Sequence, residues 1–486
     1  MEKEKNEDSK YGSASSQLNM PGGQKAFVNS GLFRPISIAS LVFFRIAFGI
    51  LAFADVTGIF SYYHLYKGDF NPQKFQFHYY GFEWVNPLPE PFMSLFFISL
   101  LIATVLIVLG KWYHWATTYF AFGFAWLFLL EKAHYLNHGY LFCCLAFVMI
   151  FLPAQRFLSL DARQKPAIRT RTIPFWSMAI LPFLMGGVYF FGGIAKINPD
   201  WTQAIPLKLW LKAKDDFFLI GPILAKESTA WLMSYAGLLL DLTVVFFLLN
   251  KRTRKWAFAA AVFFHVTNSI IFNIGIFPWL SISLTALFFA PDFPLQFIQK
   301  IKNGQSKFAL FLADKINIFP PVEDIKTPNL WQNNIRYKWV IITSLIVLML
   351  LQFTLPLRHH LYTGNVAWNE EGHRYAWRMM LRSKRGYGVF KVEDALSDKF
   401  EFVNPKDSLS KKQSRKLFTH PDMILEYAHF LRDAYTQKGW QPKVFVDTKV
   451  NLNNKGYQVF IDPKVDLAKE KWSFFKHSEW VMPFKN

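Results

Sequence analysis

The residue with the clearest chemical signature is Lys196. It follows an apolar, glycine-rich run, Gly186-Gly187-Val-Tyr-Phe-Phe-Gly192-Gly193-Ile-Ala, and opens a polar string, Ile-Asn198-Pro199-Asp200-Trp201. An amine held in an apolar pocket loses the hydration that favours its charged form and becomes available as a base. Inside a membrane such a base suits a lipid-soluble substrate with an acidic hydroxyl, such as a quinol. A lysine snorkelling to the membrane boundary explains the same residue without any chemistry. Two other groups carry similar potential. His134 and His138 have the i, i+4 spacing that presents two imidazoles on one helical face. There is no HExxH string and no third ligand beside them, so hydrogen-bonding histidines and no metal are expected. His265-Val-Thr-Asn268 lies in another apolar stretch, where it could face a cavity. Arg45, Asp55 and Asp241 are ionisable groups within apolar segments, a costly placement that marks either function or buried contacts between helices. Arg45 and Asp55 are ten residues apart, about 15 Å along a helix, too far to pair with each other.

The elements that must position these groups follow from composition. The 486 residues are 52% hydrophobic and only 18% charged, against about 25% charged in an ordinary soluble domain. The charges fall between long apolar runs, so the chain reads as a mainly α polytopic membrane protein. A net charge of +20 would suggest nucleic acid in a soluble protein. Here the basic residues sit in short loops beside apolar segments, where they report topology, and no nucleic-acid partner is expected. The two cysteines, Cys143 and Cys144, are adjacent within an apolar run and form no disulfide framework. The polar first 30 residues lack the apolar stretch of a signal peptide.

Hydropathy windows place about nine transmembrane helices near 36–56, 91–110, 114–130, 139–154, 174–195, 229–249, 256–274, 277–293 and 338–356. Basic residues concentrate in alternate loops, with Lys-Arg-Thr-Arg-Lys at 251–255 the densest cluster. That asymmetry puts the N-terminus in the cytoplasm and, with an odd number of spans, the C-terminal region outside. The expected organisation is a polar tail over 1–35, a transmembrane catalytic domain over 36–356, and an extracytoplasmic domain over 357–486. The last has alternating stretches at 443–446 and 457–461 and a helix over 421–438 opened by Thr419 or His420, which reads as a small α+β domain rich in β-strand.

These residues, taken together, resemble the vitamin K-dependent gamma-glutamyl carboxylases and their bacterial homologues, which share the horizontally transferred transmembrane domain. The strings that carry the resemblance run from about 36 to 484. They include Phe44-Arg45-Ile-Ala-Phe-Gly49, Asn137-His138-Gly-Tyr140-Leu141, Val188 through Trp201 around Lys196, Phe264-His265 through Asn268, Tyr375-Ala-Trp377-Arg-Met379-Met380, and Ile461-Asp462-Pro463.

The resemblance implies an integral membrane enzyme of the bacterial inner membrane that couples two reactions. Reduced vitamin K, as phylloquinol or menaquinol, is oxidised by O2 to its epoxide through a strongly basic alkoxide. That alkoxide removes a γ-hydrogen from glutamate in an exported protein or peptide, and CO2 traps the carbanion. The γ-hydrogen is too weakly acidic for an ordinary side chain to remove, which is the physical reason for the coupling. At matching positions Lys196 is the base that deprotonates the quinol and His138 handles the proton or positions the glutamate. Asn137, His265 and Asn268 are implied as hydrogen-bonding neighbours, and His359, His373, Tyr375 and Trp377 as further substrate-binding positions. The chain departs from the animal pattern where those enzymes carry Leu-Tyr-Gly-Tyr-Ser-Trp, a segment implicated in glutamate binding. Here it reads Gly372-His373-Arg374-Tyr375-Ala376-Trp377. A protein that binds or oxidises a quinol without carboxylating, and a non-enzymatic transporter or sensor on the same fold, are the competing readings.

Overall fold

A computed structural model describes residues 31–58, 75–303 and 335–485. The membrane part is built from helices α1 (Ala39–Val56), α2 (Phe92–Leu109), α3 (Tyr113–Leu129), α4 (Asn137–Phe151), α5 (Trp176–Ala195), α6 (Glu227–Leu249), α7 (Arg254–Phe272), α8 (Phe277–Thr285), α9 (Phe293–Asn303) and α10 (Ile335–Leu357). Each of the nine expected segments contains a helix, but among the described residues only six are long and apolar enough to cross a bilayer. The seventh candidate is a broken pair, bent by 95° between 277–288 and 293–300. Helices α3 and α4 have 17 and 15 residues, short of the roughly 20 that about 30 Å of hydrocarbon requires. The chain is an integral membrane protein, and its described residues hold six helices able to span, or seven if the bent pair is one.

Large apolar side chains from α1 to α5, with α8, form one continuous core, in which Phe44, Phe48, Phe120, Phe124 and Phe142 are wholly buried. Arg45 lies inside that core as a clamp, which decides its role. Its guanidinium donates to the carbonyls of Ala154 at 2.8 Å, Leu158 at 2.5 Å, Phe157 at 3.3 Å and Val108 at 3.4 Å. It ties α1 to the end of α2 and to the turn after α4. Gly110, at φ +60°, passes directly over it, and a Cβ there would stand 2.8 Å from Arg45 Nη1. Arg45→Met is expected to strand these carbonyls and cost about 3–5 kcal/mol, read as a lower thermal midpoint in detergent with the quinol chemistry of any surviving protein intact.

Beyond residue 357 the chain forms a four-stranded antiparallel sheet of β1 (Lys384–Asp394), β2 (Phe400–Val403), β3 (Pro442–Leu452) and β4 (Tyr457–Val459), in spatial order β2-β1-β3-β4. Along β3 the buried positions are Val444, Val446, Thr448, Val450 and Leu452, the period of two that a half-buried strand requires. Helix α11 (Pro421–Gln437) covers that face, starting after His420 as its spacing predicts, although the His420 side chain makes no capping bond. The second core formed here also takes in Phe77 and Ala133 from the loops of the helical part.

Candidate functional site

Lys196 sits immediately after the last turn of α5. The packing that delivers it depends on Gly193. A Cβ on Gly193 would stand 2.8 Å from Leu242 Cδ2 and 3.1 Å from Leu242 N, so only glycine lets α5 and α6 approach this closely. The approach brings Asp241 of α6 against the amine: Lys196 Nζ donates to Asp241 Oδ2 at 2.5 Å and to the Gly192 carbonyl at 3.2 Å. Both residues are buried, at 7% exposure each. The expectation of an amine in an apolar pocket therefore gains a second member, a carboxylate 45 positions further along the chain.

The string after Lys196 fixes its position. Asn198 caps the short turn Pro199–Thr202 by accepting from Trp201 N at 3.0 Å. The Trp201 indole donates to Ser234 O at 3.1 Å, and Ser234 Oγ donates back to Trp201 O at 2.7 Å, which joins the turn to α6. Asp200 accepts from Asn453 Nδ2 at 2.6 Å and pairs with Lys455 at 2.7 Å, joining it to the turn between β3 and β4. The C-terminal sheet thus grips the segment that carries the lysine.

Around Nζ is a cavity of about 280 Å³, walled mainly by apolar side chains of α5, α6 and α7. Of the residues expected to act, Lys196, His265 and Asn268 line it together. Tyr189 also lines it, with its hydroxyl 2.7 Å from His265 Nε2 and 3.1 Å from Thr285 Oγ1. Asp241, Tyr189 and Thr285 were not among the expected site residues. At Phe263, 74% exposed, the cavity reaches the lipid-facing surface.

The remaining expected residues lie around this cavity. His138 stacks on Phe277, a cavity-lining ring that His265 meets edge-on, with centroids 6.2 and 5.7 Å from it. Asn137 Oδ1 accepts from Tyr135 OH at 2.8 Å, and that hydroxyl accepts from Tyr375 N at 2.6 Å. Tyr375 and Trp377 pack on Tyr140 at 5.0 and 5.2 Å. They belong to a strap, residues 369–383, that passes between the membrane helices and the sheet. Its Met379 and Met380 line the cavity, whereas Tyr375 faces away from it. Within the strap Glu370, Tyr375, Trp377 and Met380 have φ between +50° and +64°, a conformation that costs a bulky residue of order 1–3 kcal/mol and persists only where its surroundings impose it. Glu370 supplies part of that constraint, bound by Arg382 and by Lys384 at 3.1 Å. His359 and His373 do not line the cavity: His359 Nδ1 is 2.8 Å from Pro356 O, and His373 lies 3.3 Å from Arg382. Burial first, and then Arg382 and Arg378, hold the His373 imidazole well below its ordinary value, so it stays neutral. His134 and His138 do not share a helical face, because His134 ends a separate 3-10 turn before α4 begins. Among the described residues no group of three or more potential ligands could hold a metal ion.

Comparison with protein-family models decides the family. A model of the HTTM domain matches residues 33–293, more than half of the chain. The chain belongs to the HTTM-domain family. In this HTTM protein a second model, the lumenal domain of vitamin K-dependent gamma-carboxylase, matches residues 337–486. The two matches meet at the site: the HTTM match supplies Lys196, Asp241, His265 and Asn268, and the lumenal-domain match supplies the strap. This is a gamma-carboxylase-like membrane protein. No solved structure matches the chain.

Proposed function

We propose that this protein is a vitamin K-dependent gamma-glutamyl carboxylase, oxidising a naphthoquinol with O2 and adding CO2 to glutamate in an exported peptide. The observation that carries the reading is the buried Lys196 and Asp241 pair at the end of an apolar cavity. A ligand site of this kind is concave and apolar, with few converging polar groups, which fits a quinol ring. Opening at Phe263 gives the isoprenoid or phytyl tail a way into lipid. When bound, the quinol supplies the base strength that no side chain has.

The chain's own residues then have distinct tasks. Lys196 Nζ is the group placed to accept the quinol's proton, and the ammonium that results is stabilised by Asp241 beside it. His265, oriented by Tyr189, and Asn268 are the groups available to the other oxygen of the ring. His138, behind Phe277, serves proton handling or glutamate positioning. The glutamate enters from outside through a polar cavity of about 680 Å³ that includes Arg385, Lys214 and Asn451 and shares Trp210, Phe272 and Met380 with the Lys196 cavity. In this reading residues 1–35 are cytoplasmic, 36–356 form the membrane domain of a bacterial inner-membrane protein, and 357–486 lie outside.

Gly237 lines the cavity, and the nearest atom to a Cβ there is Phe264 Cε2 at 3.5 Å. A Gly237→Leu side chain therefore grows into the space assigned to the quinol. Binding of phylloquinol or menaquinol to the full-length variant is expected to weaken at least about tenfold, or ~1.4 kcal/mol, with an unchanged thermal midpoint. Unchanged quinol affinity would place the ring elsewhere.

A further inference from the structure

Arg358 closes α10 where the chain leaves the membrane helices. It is 8% exposed and lines a cavity of about 710 Å³, bounded by the loop at 78–83, the strap and α11. The other buried cations of this cavity are matched: Lys132 pairs with Asp422 and Glu426, at 3.0 and 2.8 Å, and Arg374 with Asp422 at 2.7 Å. Arg358 has no such match. Its guanidinium lies 3.7 Å over the ring of Phe474, and Nε and Nη1 are buried with no hydrogen-bond partner among the described residues. A buried, always-charged group without a counter-charge is costly, and an anion entering the cavity would remove that cost.

We propose that this cavity binds a carboxylate of the acidic substrate peptide, a second one distinct from the glutamate that reacts. The proposal rests on the carboxylase reading above. The reacting γ-carbon must reach the Lys196 cavity, with which the Arg358 cavity shares no lining residue, whereas the polar cavity at Arg385 shares three. The strap joins the two: Gly372, Arg374 and Tyr375 face one, Met380 and Ser383 the other. From 374 to 383 an extended chain covers at most about 30 Å, so acidic residues within about ten positions of one another can occupy both. A carboxylate fits better than a phosphate, because Glu83 and Glu426 share the cavity and oppose a dianion. Tyr80, Tyr362 and Phe474 supply flat apolar walls for the neighbouring peptide.

The test uses full-length protein in detergent and anisotropy of labelled peptides of about 12 residues, one with two glutamates and one with the second replaced by glutamine. Wild type is expected to bind the two-glutamate peptide at least about tenfold more tightly. Arg358→Gln should erase the preference, and Arg358→Lys should retain part of it. Free glutarate should displace the peptide more effectively than inorganic phosphate. Equal binding of the two peptides by wild type, or an undiminished preference in Arg358→Gln, would overturn the proposal. So would displacement by inorganic phosphate or by phosphatidylglycerol vesicles but not by glutarate. If Arg358→Gln does not fold, the lysine variant and the glutarate competition decide. Binding is read without turnover, so a protein that prefers the two-glutamate peptide yet fixes no CO2 keeps this site and loses the carboxylase reading.

Discussion

Lys196→Ala is expected to abolish quinone epoxide and carboxyglutamate together, each falling by about 10²–10⁴ or to background. The double loss follows from the order of events: without a base there is no quinol anion, and without quinol oxidation nothing removes the γ-hydrogen. The same substitution leaves Asp241 buried without its cation, and removing one member of such a pair costs about 3–5 kcal/mol. Loss of activity and loss of fold therefore need separating. Lys196→Ala/Asp241→Ala removes both charges and should recover much of the thermal midpoint while remaining inactive. Asp241→Asn, which keeps the amine but not its charged partner, should lower turnover more than quinol affinity. A folded Lys196→Ala protein with wild-type rates of both products would show that another group takes the proton.

The largest stability effect outside the membrane is expected at Asp422, on the first turn of α11. Burial alone would push its carboxyl up, but Arg374 and Lys132 outweigh burial and hold it well below the ordinary carboxylate range. Asp422→Ala leaves Arg374 without a partner and Lys132 with Glu426 alone, at a cost of about 3–5 kcal/mol. Because the folded-state value lies below the unfolded one, the carboxylate's contribution is complete above the ordinary range near pH 4. It is lost progressively as pH falls from about 5. Thermal midpoints of wild type should drop over that interval, and those of Asp422→Asn should start lower and fall less. Parallel curves for the two would assign the acid sensitivity to another group.

Positions that depend on hydropathy or on local spacing were readable in the chain itself. The helix segments, the strand at 443–446, the helix after His420 and the chemical promise of Lys196 all have local causes. What depends on contact between distant segments was not readable. Asp241 becomes the partner of Lys196 because Gly193 lets α6 close on α5, and in sequence it stood, with Asp55, as an isolated membrane carboxylate. Arg45 carried the same ambiguity, which four carbonyls, one at the end of α2 and three in the segment after α4, resolve in favour of structure. The positive φ at Tyr375, Trp377 and Met380 has no local signature, since bulky residues do not favour that conformation, and it lies in the strap that presents Tyr375 to one cavity and Met380 to another. The nine expected spans are matched by six helices long enough to cross among the described residues, for a physical reason: α3 and α4 are apolar but short, and the eighth segment is bent at residues 289–292.

The central claim is that one site couples quinol oxidation to carboxylation. It is tested most directly by giving the full-length wild-type protein phylloquinol or menaquinol, O2, labelled bicarbonate and a glutamate-containing peptide, and following label fixation and quinone epoxide in the same reaction. The account predicts both products, with carboxyglutamate never exceeding epoxide and no epoxide formed by Lys196→Ala. Epoxide with no fixed label for any glutamate peptide, or neither product with either quinol, would contradict it.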